Sequence, residues 1–108
     1  MRYEKIFDIQ AELCRAMGNP LRMEIVHLLR SGPLNVNEIA FSVEQHQATV
    51  SRNLTILRNA GIVVTHRDGK NILYQVANPK LVDVCDLMRE VLMEQIDERS
   101  KLLGLDEK

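Results

Sequence analysis

The strongest constraint on the fold of this chain is a pair of amphipathic segments, joined by a short turn and followed by two β-prone runs. The segments span residues 35–43 and 47–60, and a polar turn at 44–46 separates them. Within the stretch 62–76, the dipeptide Asp68-Gly69 divides the two β-prone runs. Because a type I′ turn needs two positive φ angles, Asp-Gly at this place predicts a tight β-hairpin.

Capping residues mark where two predicted helices begin, the one that starts at Pro20 and the one that follows Asn35. Asn19-Pro20 predicts an N-cap followed by proline at the first helical position, and that helix runs to about Arg30. Asn35 and Glu38 have the spacing of a capping box, so they predict where the next helix begins.

Two further helices are predicted from apolar residues at helical spacing, at about 3–17 and about 79–102. The apolar stripe of the second is longer than one small core could cover. The element order is therefore α-α-α-α-β-β-α, which is the order of a winged helix-turn-helix domain. We predict a mainly α fold with a small β-hairpin (α+β), forming one domain over 1–108, with a recognition helix at about 47–60 and a wing at about 62–76.

The composition favours one globular domain with an aliphatic core. Of the 108 residues, 45% are hydrophobic, while aromatic residues make up only 4% and Trp is absent. No apolar run is long enough to cross a bilayer, and the N-terminus lacks the apolar centre of a signal peptide. We therefore predict a cytoplasmic protein without membrane contact.

Charge is distributed unevenly along a chain whose formal net charge is −1. Residues 47–75 contain four basic residues and one acidic residue, whereas residues 80–108 contain five basic and eight acidic residues. A local excess of positive charge is typical of one face that meets a polyanion.

Four segments between Leu13 and Leu92 carry a resemblance to a known family: AMGNPLRMEIVHLL (16–29), NVNEIAFSV (35–43), QATVSRNLTILRNAGIV (47–63) and RDGKNILYQV (67–76). On these residues the stretch resembles the ArsR/SmtB family of bacterial and archaeal repressors. The resemblance covers about three quarters of the chain and is most specific in TVSRNLTILRNAGIV, which includes most of the predicted recognition helix. It implies a homodimer, joined through its first and last helices, that binds a palindromic operator in double-stranded DNA, represses transcription and is released by an inducer.

The predicted recognition helix carries the side chains that we expect to read DNA. Gln47, Thr49, Ser51 and Arg52 are polar and lie opposite the apolar positions of the same helix. Gln and Arg can make bidentate contacts to bases, while Thr and Ser can reach bases or phosphates. The competing interpretation is an ordinary solvated face of an amphipathic helix, without a role in DNA binding.

Three further side chains are candidates for contacts to the DNA backbone. Arg67 and Lys70 flank the predicted hairpin tip, where they would neutralise phosphates and position the protein rather than specify sequence. His46 stands where the family usually has Ser or a similar helix cap. It could reach a phosphate, especially when protonated, or be an exposed turn residue without a function.

Metal ligands of the family are missing at the matching positions. A Cys-x-Cys pair in the third helix would fall on Asn35 and Asn37, which supply no thiolate. In a second class the ligands are carboxylates and histidines, and only Glu94 among the matching residues could ligate. These matching residues are Asn78, Lys80, Val91 and Glu94. We therefore expect no metal site of either type and no cofactor.

Cys14 and Cys85 are the two cysteines of the chain, and both lie on apolar stripes of the predicted dimerisation helices. A third class in the family uses a pair of cysteines as a redox switch, but the matching positions here are His27 and a position near Met93. One interpretation makes each cysteine a small buried hydrophobic residue. The other is a thiol switch, or a site for a thiol-reactive inducer such as trivalent arsenic, which requires the two sulfurs to lie close together.

Two other classes of function compete with DNA binding. Winged helices also serve as protein–protein interaction modules, and the weak overall charge favours that alternative. An enzyme such as a thiol oxidoreductase is disfavoured, because the chain lacks Cys-x-x-Cys, a glycine-rich phosphate loop, Gly-x-Ser-x-Gly and His-Glu-x-x-His. The sequence therefore favours a DNA-binding transcriptional regulator without catalytic residues.

Overall fold

The computed structural model describes residues 5–104, and its elements follow the predicted order. The first helix was predicted from about residue 3, which lies outside the described residues. The other predicted helix bounds agree with the observed ones to within one residue. The elements are α1 (Ile6–Met17), α2 (Pro20–Leu29), α3 (Val36–Val43), α4 (Gln47–Asn59), β1 (Val63–Asp68), β2 (Asn71–Val76) and α5 (Lys80–Leu102).

Side-chain caps explain where α2 and α3 begin. The Asn19 carboxamide oxygen accepts a hydrogen bond from the backbone N–H of Arg22 at 3.1 Å, and proline follows Asn19 at the first helical position. At α3, the Glu38 N–H donates to Asn35 Oδ1 and the Asn35 N–H donates to Glu38 Oε1, each at 2.9 Å. This reciprocal pair is the capping box that the sequence predicts.

The aliphatic core lies between α2, α3, α4 and the start of β1. Helix α1 packs on α2 and α4, whereas α5 packs on α2. Each of these terminal helices buries a single residue, Ala16 in α1 and Val82 in α5, so both lie at the margin of the core. The largest fully buried side chains are Ile25, Val26, Ile39, Val50, Leu54, Leu57, Ile62 and Val63.

Gly61 ends α4 and directs the chain into the wing. Its φ of 77° is a conformation that glycine adopts without steric cost. The N–H groups of Gly61 and Ile62 donate to the carbonyls of Arg58 and Leu57 at 3.0 and 2.9 Å, which is the pattern of a Schellman motif. Because this motif fixes the exit direction, Ile62 is fully buried immediately after the helix.

Strands β1 and β2 form an antiparallel hairpin, the wing. Its base is the pair Val63 and Val76, and its last pair is Asp68 and Asn71. Leu34, in the connection between α2 and α3, adds a bridge to Tyr74 of β2 through two backbone hydrogen bonds of 3.1 and 2.8 Å. The bridge ties the wing to the helical part of the molecule.

The hairpin turn differs from the predicted one. Because Asp68 pairs with Asn71, the two loop residues are Gly69 and Lys70, not Asp68 and Gly69. Within this loop only Gly69 has a positive φ, of 63°. Glycine with a positive φ at the first loop position is the pattern of a type II′ turn, so the predicted type I′ turn is wrong. Lys70 consequently lies at the wing tip itself.

Large apolar side chains of α1 and α5 remain exposed on the isolated chain. Phe7 and Ile9 of α1 are 74% and 51% exposed, so only one side of α1 packs within the chain. The stripe along α5 is longer than the chain's own core covers, as predicted. Its exposed members are Val84, Leu87, Met88, Val91, Leu92, Met93, Ile96 and Leu102. None of the helices described between residues 5 and 104 has the length and apolar character needed to cross a membrane.

Candidate nucleic-acid interface

The turn between α3 and α4 sets the direction in which α4 leaves the core. Glu44 adopts a left-handed conformation, with φ of 56° and ψ of 48°. Its N–H donates to the Phe41 carbonyl at 3.3 Å, and the Gln45 N–H donates to the Ala40 carbonyl at 3.1 Å. These bonds end α3 in a Schellman arrangement, with glutamate at the position where glycine is usual. Helix α4 then begins at Gln47.

The outer face of α4 is polar and exposed. With 3.6 residues per turn, Arg52 points almost directly away from the inner face and Ser51 lies on one side of Arg52. Gln47 lies nearer the inner face, because it comes about two turns before Leu54. All three side chains are exposed. The inner face consists of the fully buried residues Val50, Leu54 and Leu57.

Thr49 differs from the other three residues that were predicted to read bases. It lies on the opposite flank of α4 and is only half-exposed. Its carbonyl accepts a hydrogen bond from Asn53 Nδ2 at 2.8 Å. Gln47, Ser51 and Arg52 are therefore all exposed, whereas Thr49, which lies about one turn before Arg52 and on its other side, is partly covered.

Arg67 and Lys70 place two positive charges at the far end of the wing. Arg67 lies in β1 opposite Ile72, and Lys70 is the second residue of the loop. Both side chains are exposed, with the carboxylate of Asp68 between them in sequence. As far as residues 5–104 are concerned, neither Arg67 nor Lys70 forms an ion pair, so both charges are available to phosphates.

His46 occupies the N-cap position of α4, but its side chain makes no capping hydrogen bond. The imidazole is exposed. The first backbone N–H groups of α4 therefore have no side-chain acceptor, and the positive end of the helix dipole faces solvent. This arrangement is compatible with a nearby phosphate, which helix N-termini commonly bind.

The two cysteines lie on α1 and α5, and they differ in exposure within the isolated chain. Cys14 of α1 is exposed in the isolated chain, and Cys85 of α5 is half-buried. Burial raises the pKa of the Cys85 thiol, while the neighbouring Arg89 lowers it and Asp86 raises it. The net effect is an increase, so less Cys85 is in the reactive thiolate form at neutral pH than for a free thiol.

Two positions that match metal ligands in the family have a different role here. Asn35 caps α3, and Asn78 Oδ1 accepts a hydrogen bond from the backbone N–H of Lys80 at 2.9 Å, where α5 begins. In the part of the chain that the structure describes, no three His, Cys, Asp or Glu side chains are grouped so that they could hold a metal ion.

Arg22 and Asn53 connect this surface to the helices behind it, and sequence reasoning missed both. Arg22 Nη1 donates to Asn53 Oδ1 at 2.9 Å, and Asn53 follows Arg52 on α4. The sequence did contain a signal for Arg22. It lies in the first turn of α2, where the helix dipole disfavours a cation and no acidic residue accompanies it. A cation at such a place indicates that its hydrogen-bond acceptors lie on other elements of the fold.

The sequence of this chain is similar to those of known bacterial transcriptional regulators. Residues 19–65 match the family model described as bacterial regulatory protein, arsR family. An uncharacterised HTH-type transcriptional regulator of Mycobacterium tuberculosis is 30% identical over 104 residues, which is 95% of this chain and 91% of the relative. A biofilm growth-associated repressor of Xylella fastidiosa is 29% identical over 92 residues, covering 85% of this chain and 81% of the relative.

Solved structures share the fold along most of the chain. One is the homodimeric winged helix-turn-helix DNA-binding domain of a possible ArsR-family transcriptional regulator from Mycobacterium bovis. It has a TM-score of 0.81 and 28% identity, and the match covers 90% of each chain. The transcriptional repressor BigR from Xylella fastidiosa has a TM-score of 0.70 and 28% identity, with 84% of this chain and 96% of BigR covered. The observed element order is thus that of winged helix-turn-helix regulators.

Proposed function

Because the chain belongs to the arsR family of bacterial regulatory proteins, we propose that it is a homodimeric transcriptional repressor that binds a palindromic operator in double-stranded DNA. The observation that carries this proposal is the outer face of α4. The helix Gln47–Asn59 contains two arginines and no acidic residue, and its outer face is exposed and polar. A helix face that only meets water usually mixes charges of both signs.

We assign two kinds of DNA contact to this surface. Side chains near the N-terminal end of a recognition helix reach base edges in the major groove, whereas wing and turn residues neutralise phosphates. The base contacts are assigned to Gln47, Thr49, Ser51 and Arg52. The phosphate contacts are assigned to His46, Arg67 and Lys70.

The exposed apolar faces of α1 and α5 support the homodimer. Uncovered apolar area of this extent is typical of a surface that another protein covers. Two copies joined through these helices would place their α4 helices on the same side of the duplex, about 34–36 Å apart. A dimer bound in this way at a promoter would block RNA polymerase, which is how we propose that it represses transcription in the cytoplasm.

A salt titration tests DNA binding. The affinity for duplex DNA from upstream of the protein's own gene is measured by fluorescence anisotropy at several salt concentrations. Because binding releases counterions from phosphates, we expect log affinity to fall linearly with log salt concentration. Lys70→Ala should make the slope shallower by about 2, because each of the two protomers loses one phosphate contact.

Lys80→Ala is the matched control for the wing variant, since Lys80 is an exposed lysine at the start of α5. It should leave the slope unchanged. Tight binding without salt dependence, or no binding to any duplex, would contradict the proposal and favour a protein–protein interaction module.

The signal that releases DNA is a separate part of the proposal. We propose that a thiol-reactive inducer acts on Cys14, with Cys85 as its partner, because the two thiols lie on α1 and α5, the helices through which the two copies are proposed to join. Operator affinity of the reduced and the diamide-oxidised protein should then differ, and the difference should disappear in Cys14→Ser. Equal affinities in the two states would leave the cysteines without a sensing role.

A further inference from the structure

The side chain of Arg22 joins three helices. Its Nε donates to the Ala16 carbonyl, and its Nη2 lies 3.5 Å from the Arg15 carbonyl, both in the last turn of α1. Its Nη1 donates to Asn53 Oδ1 in the middle of α4 at 2.9 Å. Because Arg22 belongs to α2, one guanidinium ties α1, α2 and α4 together.

No other side chain within residues 5–104 makes a hydrogen bond to a different helix. The remaining side-chain hydrogen bonds stay inside one helix or its cap, as for the pair Asn35 and Glu38. The interior contacts between helices are otherwise aliphatic, and aliphatic contacts have little directional preference. The guanidinium therefore supplies the directional link between α1 and α4, since its donors have a fixed planar geometry.

Asn53 transmits this link to the DNA-facing surface. Its amide is held at both ends, because Oδ1 accepts from Arg22 and Nδ2 donates to the Thr49 carbonyl at 2.8 Å. Thr49, whose carbonyl accepts this bond, and Arg52, which directly precedes Asn53, are two of the residues assigned to base contacts. The network consequently fixes how α4 is rotated about its own axis relative to α1.

We infer that Arg22 is a positioning residue, which acts through Asn53 to hold the recognition helix at a fixed place relative to the dimerisation helix α1. This inference rests on the proposed function. In a homodimer joined through α1 and α5, the distance between the two α4 helices depends on how each α4 is attached to its own α1. Arg22 therefore sets the spacing between operator half-sites that the dimer accepts.

The test compares duplexes that differ only in half-site spacing. The probe is the inverted repeat that the unchanged protein selects from a random duplex library, together with versions whose spacer is one or two base pairs longer or shorter. Each added base pair moves a half-site by about 3.4 Å along the duplex axis. Affinity for the selected spacing, divided by affinity for each altered spacing, gives a spacing preference.

Arg22→Met should lower the spacing preference by about tenfold, the change expected when one charge-assisted hydrogen bond is lost. Affinity for a duplex with a single half-site and the salt dependence of binding should stay close to those of the unchanged protein. A merely structural role for Arg22 would lower affinity for every duplex equally and leave the spacing preference intact, which would overturn the inference.

Arg30→Met is the matched control. Arg30 is an exposed arginine that caps the other end of α2 and lies 4.0 Å from Asp86 of α5, without a hydrogen bond to α4. This variant should keep the full spacing preference. If it lowers the preference as much as Arg22→Met, the effect comes from charge and not from the link to α4.

Asn53→Ala tests the same link between α1 and α4 if Arg22→Met does not fold. It removes the acceptor on α4 and leaves the bonds from Arg22 to α1 in place, so it should lower the spacing preference to the same extent. An unchanged preference in folded Asn53→Ala would also overturn the inference. If the unchanged protein selects no duplex at all, the proposed function fails; if it binds operators but ignores spacing, only the role of Arg22 fails.

Discussion

At the scale of single residues, the left-handed backbone of Glu44 destabilises the folded state, and a substitution by glycine should remove this cost. A left-handed backbone costs an L-residue about 1–2 kcal/mol, whereas glycine adopts it freely. Glu44→Gly should therefore be more stable than Glu44→Ala by about 1 kcal/mol in urea unfolding, since both variants remove the same charge. Equal midpoints for the two variants would contradict the left-handed conformation of this turn.

Cys85 gives a prediction about pH. Because burial raises the pKa of its thiol, the thiolate fraction at any given pH is lower than for a free thiol. In Cys14→Ser, iodoacetamide should therefore modify Cys85 more slowly than it modifies a small-molecule thiol at pH 8. The rate should rise with pH to a midpoint above the ordinary value for cysteine. A midpoint at or below that value would show that the environment of Cys85 stabilises the thiolate.

Single residues also show where sequence reasoning stops. Cys14 follows the apolar spacing of α1, but spacing cannot tell a face that packs within the chain from one left for a partner. The structure leaves Cys14 exposed because only one side of α1 meets α2 and α4. Arg22 was missed because its acceptors, on α1 and α4, become its neighbours only after the helices have packed.

At the scale of elements, the helix bounds were predictable because capping chemistry is local. Asn19 bonds to a residue three positions later, and Asn35 exchanges hydrogen bonds with Glu38. The hairpin turn was not predictable in the same way. Moving the loop by one residue shifts each cross-strand partner by two positions, so Val63 pairs with Val76 and not with Tyr74. Because a two-residue shift leaves every side chain on the same face, the alternating pattern of the strands cannot distinguish the two registers. In the observed register, Gly69 and Lys70 form the loop.

The capping box makes a prediction for α3. Asn35→Ala removes the acceptor for the Glu38 N–H and should lower the free energy of unfolding by about 1 kcal/mol. Asn37→Ala serves as control, because Asn37 is exposed on the same helix and takes no part in the capping box. Urea unfolding of the two variants should thus differ, and an Asn35→Ala protein as stable as Asn37→Ala would argue against the cap.

At the scale of the whole molecule, the long apolar stripe of α5 predicts that the dimer depends on it. Leu92 is 51% exposed in the middle of this stripe. Leu92→Glu would bury a charge in the dimer interface, so it should weaken dimerisation by well over tenfold while the chain stays folded. Sedimentation equilibrium measures this change, with the charge-neutralising Glu94→Gln on the same helix as control. A dimer of unchanged strength would place the interface elsewhere.

In the proposed complex, two copies of the chain bind one duplex with their α4 helices in successive major grooves. A hydroxyl-radical footprint on the selected operator tests this arrangement. We expect two protected regions, related by two-fold symmetry and centred about 34–36 Å apart on one face of the duplex. A single protected region, or two regions on opposite faces, would contradict it.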